Sequence, residues 1–142
     1  MISLSFDGAA IARGLDGITA AAQEAVRPAA QAGAQVFYDE VRQRVPVSSK
    51  PHSTKGKKQT YQPGNLRAAI YQAFMEEVER PGHASYRISW NHKKAYYGRF
   101  IEFGTPRMAA RPFVRPAFDA MQALALEASR EVMFDRLKEA IA

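Results

Sequence analysis

Residues 97–105 read Tyr97-Gly98-Arg99-Phe100-Ile101-Glu102-Phe103-Gly104-Thr105, and residues 110–118 read Ala110-Arg111-Pro112-Phe113-Val114-Arg115-Pro116-Ala117-Phe118. Tyr97, Phe100, Ile101 and Gly104 recur at i, i+3, i+4 and i+7, which predicts a short helix rather than a strand. Gly104 would close it as a left-handed cap, a conformation glycine adopts without steric cost. Pro112 and Pro116 bracket the opening of a second, longer helix, where proline's missing N–H costs nothing. Between the two lies a short extended linker. Glu102 is the only acid between Arg80 and Asp119, so a pairing with Arg99, Arg111 or Arg115 would hold that linker in place. This structural role is preferred to a catalytic one. The aromatics Phe103, Phe113 and Phe118 flank the glycine and prolines and are expected to anchor the chain reversal on a core.

Working toward the C-terminus, the helix should reach about Ile141. Ala117, Met121, Leu124, Ala125, Ala128, Val132 and Ile141 make its expected buried stripe. Leu126, Met133 and Leu137 sit off that stripe, and two readings of them stay open: further core, or contact with another subunit. Working toward the N-terminus, Tyr86, Ile88 and Trp90 alternate with Arg87 and Ser89, the pattern of an amphipathic strand. Asn65–Met75 reads as a helical turn followed by a strand into Val78, and Pro81-Gly82 as a turn, so an antiparallel hairpin is expected. Pro46–Gly64 is a 19-residue segment rich in Pro, Gly, Ser and Lys, much longer than the usual loop of about 4–6 residues. It is expected to be a mobile surface arm carrying Lys50, Lys55, Lys57 and Lys58. Before it, Asp16 would cap a helix starting near Gly17 and ending at Pro46. Ala29, Gly33, Val36, Phe37, Val41 and Val45 would be its core face, with a kink or restart at Pro28. Ile2, Leu4 and Phe6 alternate as a short strand. The class expected is α+β: long N- and C-terminal helices on a small antiparallel sheet, with a long mobile basic loop, in a single domain over residues 1–142.

The chain has 142 residues and no cysteine, which excludes disulfides and thiolate metal sites. Its first residues lack a basic start, so no signal peptide is expected. No apolar run nears the roughly 18 residues of a membrane span, and a soluble protein is expected. The net charge of +6 conceals an asymmetry. Residues 41–118 hold 15 Lys or Arg against 4 Asp or Glu, while the two ends hold 5 against 10. Such polarity implies an anionic partner, or an acidic surface on a neighbouring copy, or merely a solvated basic loop. His52, His83 and His92 have no metal-ligand spacing, no phosphate-cradling glycine loop is present, and Glu76, Glu77 and Glu79 read as an exposed strand end. No catalytic, cofactor or metal residues are assigned, and an enzyme is not expected.

The Tyr97–Thr105 and Ala110–Phe118 runs, with Arg44-Val45-Pro46-Val47 and Leu66-Arg67-Ala68-Ala69-Ile70 before them, resemble the tail-component family of long-tailed bacteriophages. This is the gp-ten-like group of tail-completion, neck or head–tail joining proteins. The resemblance spans roughly residues 15 to 125. The lysine-bearing insertion before Leu66 departs from the family's brief Thr-Gly turn, so no role for it is inherited. The resemblance implies a structural virion subunit of the tail or neck, assembled in the bacterial host cytoplasm as a homo-oligomeric ring with six-fold symmetry. Its partners would be other neck and tail proteins. Apart from the resemblance, Lys50, Lys55, Lys57 and Lys58 suit nonspecific phosphate contact with DNA, and no membrane partner is expected. The alternative from another class is a free-standing basic protein that binds nucleic acid without sequence preference.

Overall fold

The computed structural model describes residues 8–53 and 59–142. Helix α1 spans Gly8–Arg44, and after it β1 (His52–Ser53) pairs antiparallel with β2 (Thr60–Tyr61). Helix α2 (Asn65–Ala69) leads directly into β3 (Ile70–Phe74), which pairs antiparallel with β4 (Tyr86–Trp90). A short helix α3 (Gly98–Phe103) and the long α4 (Val114–Ile141) complete the order. The class is α+β, with long helices at both ends and two small antiparallel sheets.

Helix α1 begins well before Gly17, and Asp16 lies inside it rather than at its cap. Ala9, Ala10, Ala12, Arg13 and Leu15 are good helix formers, and they extend the helix through Gly14 and Gly17, at roughly 1 kcal/mol for each glycine. The restart expected at Pro28 does not occur, for the helix runs continuously through it. Pro28 lies between Ala25 and Ala29, both buried, so tertiary packing holds the helix where local propensity would break it. The strand expected at Ile2–Phe6 lies outside the described residues.

The two long helices are antiparallel neighbours that meet through small side chains. A Cβ on Gly33 would stand 2.5 Å from Ser129 Oγ and 3.2 Å from the Ala125 carbonyl oxygen. Ala25, Ala29 and Ala34 of α1 and Ala117 and Ala125 of α4 are buried along the same helix pair, which lets the axes approach closely. Nearer α4's start, Phe37 stacks on Phe118 with ring centroids 5.4 Å apart.

The β3–β4 ribbon lies across α1. Its register sets Ile70 opposite Trp90, Gln72 opposite Ile88 and Phe74 opposite Tyr86. These alternate residues share one face, as a period of two requires. Arg27 sits over the Phe74 ring at 3.9 Å, and Gln72 Nε2 donates to Gln35 Oε1 at 2.6 Å. The strand expected to reach Val78 stops at Phe74, and Glu76–Val78 is a 3₁₀ turn. The core gathers at the end of the helix pair where α1 finishes and α4 starts. Val41, Val45, Leu66, Ala69, Ile70, Trp90, Ala95, Phe113 and Ala117 form one buried cluster there.

Candidate functional site: the α3–α4 joint and the groove beside it

The linker is built from the carboxylate of Glu102 outward. Glu102 sits in the last turn of α3 and is buried. Its Oε2 accepts the backbone N–H of Phe113 at 2.7 Å and of Val114 at 3.0 Å, and its Oε1 accepts that of Arg115 at 3.1 Å. These are the N–H groups that the first turn of a helix leaves without partners. The next residue, Pro116, has no N–H to satisfy. Glu102 and Pro116 together therefore settle the whole N-terminus of α4, and the negative charge also meets the positive end of the helix dipole. The expected pairing of Glu102 with Arg99, Arg111 or Arg115 is replaced by this cap. A guanidinium reaches a carboxylate through several rotatable bonds, whereas the first-turn amides are fixed and already point at it. Arg115 instead bonds Asp119 at 3.2 Å, with both side chains largely in water, where a pair is worth little.

Backbone bonds brace the rest of the joint. Arg111 N–H donates to the Ile101 carbonyl at 2.7 Å, and Thr105 and Met108 exchange N–H···O bonds at 2.8 and 3.2 Å. Gly104 does not adopt the helical left-handed cap. Its φ of 74° is paired with a ψ of 176°, an extended mirror region open essentially to glycine alone. A Cβ there would also stand 2.8 Å from the Ala110 nitrogen. Of the three aromatics read as anchors, Phe113 is fully buried at 0% exposure, while Phe103 is 72% exposed and Phe118 49%. Phe103 follows Glu102 on α3, so turning the carboxylate inward turns this ring out. Pro112 is exposed, Pro116 half-buried, and the side chains of Arg111 and Arg115 face solvent.

The joint abuts an aromatic cluster that sequence reading missed. Tyr61 of β2 is buried and lies 5.1 Å from the Tyr97 ring, and His52 of β1 lies 4.9 Å from the same ring. Asn65 Nδ2 donates to the Lys94 carbonyl at 2.9 Å and to Tyr97 Oη at 3.0 Å, tying α2 to the start of α3. The two described ends of the lysine-rich segment are thus docked on the body of the protein by β1 and β2. A mobile surface arm was expected over the whole segment, and Tyr61 anchors its described C-terminal end by burial. The signal was Tyr61 itself, an aromatic in an otherwise polar stretch. Lys50 is exposed, whereas Lys55, Lys57 and Lys58 lie outside the described residues.

Between this ribbon and α3 runs a groove of about 430 Å³, with Pro46, Val47, Leu66, Phe100, Ile101 and Met108 among its walls. Among the described residues its ionisable lining is His52, Tyr97 and Arg111, with no carboxylate. Elsewhere, α4 presents its apolar residues to solvent. Leu126 is 59% exposed, Phe134 57% and Ile141 67%, with Met133 and Leu137 half-buried. Leu124 and Ile141 were expected in the buried stripe, but both are exposed. Among the described residues α1 is the element that packs along α4, and one partner helix covers one side. His83 Nε2 lies 3.2 Å from Ser85 Oγ, with no carboxylate hydrogen-bonded to the imidazole among the described residues. Glu102 has its carboxylate engaged by three amides. Among the described residues, no group of three or more His, Asp or Glu side chains is arranged to hold a metal ion, and no helix is long and apolar enough to cross a membrane.

Comparison with known proteins places this geometry. The family described as "Bacteriophage HK97-gp10, putative tail-component" matches residues 9–104, from the start of α1 to the glycine that ends α3. Searches of the curated proteins and of the solved structures find no significant match. The matched range covers about two thirds of the chain and holds the long helix, the β3–β4 ribbon and the Glu-Phe-Gly run, while the Pro112–Ala117 block lies beyond it. The chain belongs to the bacteriophage HK97-gp10 family of tail components.

Proposed function

We propose that this tail component completes the head-proximal end of the phage tail and joins it to the neck, as one copy in a ring of identical subunits with the six-fold symmetry of the tail. The observation that carries the reading is the exposed apolar face of α4, with Leu126, Phe134 and Ile141 each more than half in water. Large apolar side chains exposed together on one side of a helix mark a contact with another chain. The work assigned to the protein is assembly, and the buried Glu102 cap serves it by fixing the angle at which α4 leaves the body. The lysines at positions 50, 55, 57 and 58 would be repeated around the ring as a positive belt, suited to passing DNA or to an acidic neighbouring ring.

The test is genetic and structural. A phage lacking this chain is expected to accumulate filled heads and separate tails, with joining restored when purified protein is added to the lysate. The purified protein is expected to form closed rings by native mass spectrometry and electron microscopy. Normal yields of joined particles without the chain would overturn the reading. A persistent monomer that binds DNA of any sequence with steep salt dependence would favour the free nucleic-acid-binding alternative instead.

A further inference from the structure

We propose that the groove beside α3 receives the exposed apolar face of α4 from a second copy of this chain, so that neighbouring copies join head to tail. The inference rests on the ring reading above and names the two surfaces that would build the ring. The first is concave and apolar, without a carboxylate among the described residues, and has Arg111 on its lining and Lys50 exposed close by in the chain. At about 430 Å³ it is in the size range of sites that take compact apolar groups, which suits a few side chains rather than a whole helix.

The second surface joins exposed apolar residues to an acidic row, with Arg130, Arg136 and Lys138 interleaved. Phe134, Leu137 and Ile141 follow one another at i, i+3 and i+7, the spacing by which an amphipathic helix places anchors in a groove. On the flank of this face, Glu127, Glu131, Asp135 and Glu139 form a row at intervals of four residues. Like charges at that spacing destabilise a helix, and none of the four is in a salt bridge among the described residues. A basic neighbour would relieve them. The groove lies where α1 ends, and the α4 face runs toward the other end of the helix pair. One copy cannot therefore satisfy itself, and a contact between two different patches propagates to a third copy. Such heterologous contacts close into rings when the rotation permits.

The experiment uses the full chain and two surface substitutions, Met108→Glu in the groove and Phe134→Glu on α4, with circular dichroism to verify folding. Each variant alone is expected to sediment as a monomer at concentrations where the parent chain forms rings. Mixed in equal amounts, they are expected to yield a 1:1 dimer and nothing larger, since one intact groove then meets one intact α4 face. Arg111→Glu provides a second groove variant should Met108→Glu fail to fold, with the same expected outcome. If both substituted chains still form rings, these surfaces are not the contact, although the ring reading stands. If both are monomeric and the mixture stays monomeric, the occupant of the groove is not α4 and the proposal falls. A parent chain that never assembles would remove the ring reading and this inference together.

Discussion

Glu102 accepts three backbone amides, Arg115's among them, while no ion pair joins it to the guanidinium of Arg99, Arg111 or Arg115 among the described residues, which separates two kinds of loss. Glu102→Ala strips a helix cap and leaves N–H groups in a poorly solvated joint. We expect a loss of about 2–4 kcal/mol in urea unfolding, from cap and buried-donor values. Glu102→Gln keeps one acceptor oxygen and should lose less. Because the bonds are buried and not ion pairs, the difference should change little between low and high salt; a loss that disappears in salt would return the role to the arginines. Gly98 supplies a second test at this scale. A Cβ there would stand 2.6 Å from Trp90 Nε1 and 2.8 Å from Trp90 Cε2. Gly98→Ala should therefore cost about 1–3 kcal/mol by overpacking. Trp90 is the one tryptophan in the chain, so its fluorescence spectrum reports the displacement directly. An unchanged spectrum with unchanged stability would show that the indole has room to move.

Pairing of elements depends on close approach more than on bulk. Helices α1 and α4 meet at Gly33, where an added Cβ would strike Ser129 Oγ and press on the Ala125 carbonyl. A serine hydroxyl can swing aside, but a backbone carbonyl cannot without moving the helix. Gly33→Val should accordingly destabilise by about 1–3 kcal/mol, less whatever helix propensity the change gains. Denaturant melts would reveal a net gain if the helices were further apart than the geometry gives. The β3–β4 ribbon is a two-stranded unit, too small to be stable alone in water. It relies on α1, to which Arg27 over Phe74 and Gln35 to Gln72 bind it.

Charge and apolar exposure are distributed over the whole molecule in a way that one copy does not resolve. The middle of the chain, residues 41–118, is basic by 11 charges and the remainder is acidic by 5. Among the described residues the helix pair leaves one side of α4 exposed. Changing Lys50, Lys55, Lys57 and Lys58 to Ser should leave the thermal unfolding midpoint unaltered, since Lys50 is exposed and lysine is almost never fully buried unless paired. The same variant should weaken the joining of tails to heads, most visibly at low salt, where the attraction that the lysines supply is least screened. Equal yields of infectious particles at every salt concentration would show that the lysines are dispensable.

The α+β class, the two long helices, the amphipathic strand ending at Trp90 and the short helix ending at Gly104 were legible in the sequence. Each rests on local periodicity or on a backbone preference that the residue carries with it. Family membership was legible for the same reason, because the Glu-Phe-Gly-Thr run joins a helix end, a special glycine and a turn in consecutive residues. Periodicity could not decide which partner Glu102 would choose, since arginines and amides lie equally near along the chain and only the folded linker brings α4's first turn onto the carboxylate. Nor could it tell that Phe113 would be buried while Phe103 and Phe118 would not, because which side of α3 and α4 meets the core depends on how the two helices are set against α1. Pro28 is the reverse case. Its local tendency to break a helix is strong, and burial of the flanking alanines in the fold overrides it. Tertiary structure decided these points because burial is a property of surfaces that meet across the fold, and residues distant in the chain supply the other side.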